Sequence, residues 1–232
     1  MLLKINDEGL PVVLLQARLR WLNFYAGNIT GVFDIDTNEA VKAFQKVNRL
    51  TIDGLVGRNT NAKLEALTKD AWLFLFIHYS ATPYNKHLTG QNIADYHTKR
   101  KGWSRPGYSH VVRLNGIVDN IRPFDSDNLI SEWEYTFGVR QTTMLNRNAR
   151  HICYIGGLDK DGESADTRTD AQKHHLDIYV RYQCMLNPKL IVLGHNDCQL
   201  KPCPGYDVAK DLKSRNVLNE RNLYFGEKVY PI

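Results

Sequence analysis

Leu190-Ile191-Val192-Leu193-Gly194-His195-Asn196-Asp197-Cys198-Gln199-Leu200-Lys201-Pro202-Cys203-Pro204-Gly205 is an apolar run that breaks into a polar loop carrying one histidine and two cysteines. Leu190 to Leu193 reads as a buried strand, and Asp207 to Arg215 reads as a helix. A histidine at a strand end, with a cysteine eight residues on, can offer an imidazole nitrogen and a thiolate to one metal ion. Pro202 and Pro204 restrict the backbone on either side of Cys203. Lys201 cannot ligate while protonated, but it puts positive charge beside the pair. A further ligand has to come from elsewhere in the chain.

Trp72-Leu73-Phe74-Leu75-Phe76-Ile77-His78 is a second apolar run that ends in a histidine, and it reads as a central strand. His78, His195 and Cys203 together make the three-ligand pattern of a catalytic zinc, with a fourth position left for water. Such an ion brings the pKa of its water to roughly 7. Two other readings stand beside this one. Cys198 could join the three in a closed structural site, or the histidines could be strand-end residues that hold no metal.

The rest of this half alternates strand and helix. Gln91 to Lys101 reads as a helix with Ile93 and His97 or Tyr96 on its inner face. Tyr108–Leu114 and Ile117–Ile121 form a hairpin about Asn115-Gly116. Arg150 to Ile155 reads as a strand, and Thr169 with Gln172 opens a long helix to about Leu186 through a capping box. Residues 122–148 read as a surface loop, and the tail after Asn216 shows no pattern. The N-terminal segment differs. Val12, Leu15, Leu19 and Leu22 share one helical face, as do Ala40, Val41, Phe44 and Val47, and Thr60 to Leu67 is a third helix. Asp36 with Glu39 is the expected start of the second. The fold class expected is α+β: a small three-helix domain over residues 1–68, then a mixed β-sheet domain flanked by helices over 69–232, extended from about 216.

An apolar share of 43% allows a sizeable core, and a net charge of +5, dispersed among acidic residues, does not select a partner. No run is long enough to span a membrane, and the first residues lack a signal peptide's apolar stretch. Synthesis in the cytoplasm, with the four cysteines reduced, is therefore expected.

Leu15-Gln16, Leu19, Gly31-Val32-Phe33-Asp34, Thr37, Ala40-Val41, Phe44-Gln45, Leu50, Asp53-Gly54-Leu55-Val56-Gly57 and Thr60 resemble the repeated pattern of the type 1 peptidoglycan-binding domain. Asp34 stands where that family often has glycine. The resemblance implies a wall-anchoring module, with Gly31, Phe33 and Asp53 near its glycan contacts. Ile77-His78-Tyr79-Ser80-Ala81-Thr82, Gly102-Trp103, Gly107-Tyr108, Asn115-Gly116, Gly156-Gly157 and His195 to Gly205 are similar to the type 2 N-acetylmuramoyl-L-alanine amidases of the peptidoglycan recognition protein fold. That resemblance implies His78, His195 and Cys203 as ligands of Zn2+ and Tyr108 with Lys201 as the catalytic pair. It also implies hydrolysis of the amide between N-acetylmuramic acid and L-alanine.

The departures are local. Cys153 stands where some relatives carry a glutamate base, Ser109-His110 replaces histidine followed by an aromatic, and His151 stands where small residues are common and is a candidate substrate contact. His97, His174 and His175 read as ordinary helix residues. The expectation is thus a monomeric, bacteriolytic and antimicrobial enzyme whose partner is peptidoglycan and not nucleic acid. It would reach the wall or periplasm after release through a holin or a secretion machine. A phage endolysin fits best. A secreted effector amidase and a non-catalytic recognition protein are the alternatives.

Overall fold

The computed structural model describes residues 2–122, 145 and 148–228. Most of the predicted loop at 122–148, and with it any part in stem-peptide specificity, lies outside the described residues. The N-terminal segment is three helices: α1 (Leu10–Trp21), α2 (Ile35–Val47) and α3 (Arg58–Thr68). α2 starts earlier than its sequence signal. Asp34 is extended, and its carboxylate accepts from the Thr37 N–H at 2.8 Å and the Thr37 hydroxyl at 2.6 Å, so it caps the helix and leaves Asp36 inside the first turn.

Two buried glutamines organise this segment. Gln16 in α1 accepts from the backbone N–H groups of Thr30 and Gly31, both at 3.0 Å, while its amide nitrogen reaches Val32 O and Thr37 Oγ1 at 3.0 Å. Gln45 in α2 repeats the device. It accepts from Gly54 N at 2.9 Å and reaches Asp53 Oδ1 at 2.8 Å, Leu55 O at 2.9 Å and Thr60 Oγ1 at 3.2 Å. Each amide thus satisfies a glycine turn that would otherwise bury unpaired backbone. Gly31 and Gly54 hold φ of 76° and 72°, which favours glycine.

The remainder is a mixed sheet. Its strands are β1 (Phe74–Tyr79), β3 (His110–Val112), β4 (Val118–Asn120), β5 (Ala149–Tyr154) and β7 (Ile191–Gly194), in the order β4-β3-β5-β1-β7. β1 is parallel to both β5 and β7, β5 is parallel to β3, and β3–β4 is the antiparallel hairpin. β2 (Thr82–Pro83) and β6 (Gly157–Leu158) pair separately. Parallel strands need crossovers, which the helices supply. α4 (Gly90–Asp95) passes into a π-helical turn, Tyr96–Arg100, rather than forming one regular helix, and this turn buries His97 while leaving Tyr96 half exposed. α5 (Asp170–Leu186) opens with the reciprocal Thr169–Gln172 box, and α6 (Val208–Ser214) is capped by Asp207.

β1 is buried on both faces. Leu75 and Ile77 face α5 and α6 with Ile152, Tyr154 and Val192. Phe74 and Phe76 face the other way, with Ala149, Ile191 and Leu193, into one continuous core with Val12, Leu19, Phe33, Phe44 and Leu64 of the three-helix segment. The helical unit therefore does not rely on the minimal core of its own size. Ten of the twelve residues of α1 are buried, which requires neighbours on every side.

The patternless tail has a packing role. A 3-10 turn at Glu220–Asn222 leads to Leu223, which bridges β7 at Val192, and to Tyr224, which enters the shared core. Arg20 donates to Arg221 O at 2.7 Å. Its signal was missed because the contacts are with distant elements and carry no local period.

Replacing Gln16 by leucine should strip the acceptor from the buried Gly31 N–H and the half-buried Thr30 N–H and destabilise the protein by about 3 kcal/mol. Urea unfolding reads this directly. A change below about 0.5 kcal/mol, the range of a neutral surface substitution, would refute the role given to this amide.

Candidate metal centre

Side chains alternate along a strand, so the face that carries Phe74 and Phe76 next carries His78. In register beside it, β5 places His151 opposite Phe76 and Cys153 opposite His78. His195 follows the end of β7, beside Ile77 and Gly194. The carboxyl ends of neighbouring parallel strands thus converge on one spot, at the edge of the face that the helical unit covers lower down.

One potential ligand atom from each of His78, His195 and Cys203 lies within 4.8 Å of the other two. Cys203 Sγ is 3.6 Å from His78 Nδ1 and accepts the Tyr79 N–H at 3.3 Å. The other nitrogen of each histidine is engaged elsewhere. His78 Nε2 lies 2.9 Å from His151 Nδ1, and His195 Nε2 lies 2.8 Å from Gln199 Oε1. Both imidazoles therefore keep Nδ1 for the cluster. Cys198 is not part of it: this thiol is buried in the core shared with the helical unit. A closed four-ligand site that uses Cys198 is excluded by that placement.

Electrostatics suit a cation-binding site. Burial first, then His195 and His151, hold His78 well below its ordinary value, and burial lowers His195 to about 4 and His151 to about 3. All three rings are neutral at pH 7 and can offer lone pairs. Burial raises the Cys203 thiol to about 12, against the pull of the Tyr79 N–H and Lys201. Without a cation it stays protonated, and a bound one deprotonates it. Lys201 is exposed, yet near enough to depress His78, His195 and Cys203.

Tyr108 packs against the rings of His78 and His97, both with centroids 5.1 Å away. Its hydroxyl bonds with Cys153, and burial with the two nearby thiols, Cys153 and Cys203, holds its pKa well above the ordinary value. It is a hydrogen-bond donor at neutral pH, not a base. Cys153 is likewise held protonated by burial. His97, read from sequence as an ordinary helix residue, stacks on Trp103 at 4.4 Å and accepts the Gly107 N–H at 3.2 Å, fixing the turn before Tyr108. Gln199 was missed as well. Its only local signal is a position four residues after His195.

The Cys203 loop is braced from below. Tyr154 donates to Pro204 O at 2.6 Å. Gly205, at φ 88°, lies so close to Ala165 that a Cβ there would meet its carbonyl at 2.5 Å. Arg168, stacked 3.4 Å over Tyr206, bonds Asp166 twice at 2.8 Å and Asp211 at 3.1 Å. Behind His195, buried Asp197 accepts the Gly194 N–H at 2.7 Å and pairs with Lys228 of the tail.

None of the residues suggested as glycan contacts belongs to this cluster. Phe33 is fully buried in the core and cannot touch a ligand, which corrects its assignment: the apolar ring fills the helical unit. Asp53 lines an open groove of about 370 Å³ with Arg49, Thr51 and Arg58. Gly31 lines another, of about 320 Å³, with Glu8, Asp197 and Lys228.

Burial pushes the Asp166 and Asp211 carboxyls up, but hydrogen bonds from Arg168, and from Arg215 to Asp211, outweigh it and hold both below their ordinary value. The stability they confer is present above the unfolded carboxyl pKa and is lost as pH falls below about 4. Histidines held neutral by burial, His78, His97, His110, His151 and His195, take up protons first in the unfolded chain. Urea midpoints should therefore already decline below about pH 6.5 and fall further below about pH 4, where the carboxylate contribution is lost. Arg168→Met should cost about 3 kcal/mol at pH 7 and flatten the acid limb. An acid limb equally steep in the variant would contradict this.

Residues 8–64 match the family described as "Putative peptidoglycan binding domain". Over 153 residues the chain is 27% identical to an endolysin of Enterobacteria phage K11, covering 66% of this chain and 93% of the endolysin. Over 56 residues, 24% of this chain, it is 48% identical to 20% of a spore cortex-lytic enzyme of Oceanobacillus iheyensis. A solved N-acetylmuramoyl-L-alanine amidase, LysC from Clostridium intestinale, is 21% identical with a TM-score of 0.49, over 65% of this chain and 89% of that one. The N-terminal unit thus belongs to the peptidoglycan-binding domain family, in a chain related over 66% of its length to a phage endolysin.

Proposed function

We propose that the protein is a peptidoglycan hydrolase that cuts the amide between N-acetylmuramic acid and L-alanine with a zinc ion held by His78, His195 and Cys203, and that it serves as an endolysin. The observation that carries this reading is the buried group of two imidazoles and one thiol whose ligand atoms lie within 4.8 Å of one another. Two neutral nitrogens and one sulfur are the donor set zinc prefers, and three protein ligands leave a position open for chemistry. Bound there, zinc supplies Lewis acidity toward water and the scissile carbonyl.

The chain's own groups then divide the work. The Lys201 ammonium, exposed at the rim, stabilises the negative charge that develops on the amide oxygen. The Tyr108 hydroxyl, kept protonated by burial, donates a hydrogen bond that orients the attacking water or the charged oxygen. Cys153, held as a thiol, leaves the site without the carboxylate base found at that strand position in some relatives. Residues 1–68 anchor the enzyme to the wall, and residues 69–232 carry the reaction. Kinship with phage endolysins supports delivery to the wall by release from the cell.

Mass spectrometry of a peptidoglycan digest tests this. Free stem peptides beginning at L-alanine are expected, lost with a chelator and restored by zinc. Cys203→Ser should abolish the release, and Lys201→Ala should lower its rate by about 100-fold. Intact muropeptides from the zinc-loaded protein would instead identify a binder that does not cut.

A further inference from the structure

His151 stands one pleat before Cys153 on β5, opposite Phe76. Its ring stacks on the Phe76 ring, with centroids 5.2 Å apart and planes 11° from parallel, which sets the plane of the imidazole. From there Nδ1 points to His78 Nε2 at 2.9 Å, on the side of that ring away from Cys203. A neutral imidazole carries one proton, and the hydrogen bond made by one nitrogen decides which nitrogen keeps it. If His78 Nδ1 is to offer a lone pair to a cation beside Cys203, its proton must sit on Nε2 and needs an acceptor. Among the described residues, His151 Nδ1 is the acceptor in place.

We propose that His151 is a positioning residue of the metal centre: unprotonated at Nδ1, it accepts the His78 Nε2 proton and so fixes the tautomer and ring orientation that let His78 bind metal. This rests on the assignment of His78, His195 and Cys203 as ligands and replaces the idea that His151 touches substrate. Gln199 is placed to do the same for His195, its Oε1 lying 2.8 Å from Nε2. Such outer partners change metal affinity by about 10–100-fold in other metal sites.

The test compares the full-length protein with His151→Phe, which keeps the ring but removes the acceptor, and His151→Asn, whose amide oxygen can stand near the position of Nδ1. Zinc affinity is measured by competition with a chromophoric chelator. Long-range proton–nitrogen NMR of the zinc-free wild type reads the tautomers. The expected result is a 10–100-fold loss for His151→Phe, at least a tenfold recovery of it in His151→Asn, and a wild type with protons on His78 Nε2 and His151 Nε2. Circular dichroism and thermal melting establish that both variants are folded. If His151→Phe does not fold, the comparison of His151→Asn with His151→Ala and the wild-type tautomers decide.

Equal zinc affinity in wild type and the variants lacking an acceptor would overturn the proposal, and so would a proton on His151 Nδ1. A loss confined to hydrolysis, with zinc affinity intact, would return His151 to the role of substrate contact. A wild type that binds no zinc would sink the ligand assignment itself and this inference with it.

Discussion

Burial of β1 on both faces is the constraint on which the rest depends. A strand packed between two layers has no side chain free along its length, so its chemistry is confined to its end. In β1 that end is His78, the fifth of six residues. Parallel pairing with β5 and β7 brings the ends of three strands to the same level, and the loop after β7 folds back to add Cys203. The pleat then does the sorting. Phe74 and Phe76 meet the helical unit, and His78, His151 and Cys153 occupy the same face beyond its reach. One sheet face thus serves as domain interface at one end and as candidate site at the other.

Desolvation sets the character of that site. The same burial that would penalise charged imidazoles keeps His78, His151 and His195 neutral, which is the form a metal needs. It also raises Cys203 and Tyr108, so the thiol waits for a cation and the phenol remains a donor. Rigidity is supplied from outside the cluster. The Arg168 network and Tyr154 hold the Cys203 loop, Asp197 with Lys228 holds the turn of His195, and His97 with Trp103 holds the approach to Tyr108. A metal centre whose ligands are set before the ion arrives loses little on binding it.

Much of this was legible in the chain. The apolar runs ending in His78 and leading to His195 announced two strands and their ends, and the Thr169–Gln172 pair announced α5, because these signals are local. The α+β class followed from the change in periodicity after residue 70. What could not be read was set by distance. The shared core between helices and sheet, and the tail that seals it, join residues with no common period. Phe33 belongs to a motif loop that the resemblance set near glycan contacts, yet packing turns it inward. His151 and Gln199 could be placed against His78 and His195 only once strand register and the loop's turn were known.

X-ray absorption at the zinc edge of the loaded protein measures the central claim most directly. The account predicts one sulfur at about 2.3 Å and lighter nitrogen or oxygen scatterers at about 2.0–2.1 Å, the shell of two imidazoles, one thiolate and an open position. A second sulfur in that shell, or an ion surrounded only by oxygen and nitrogen, would contradict it.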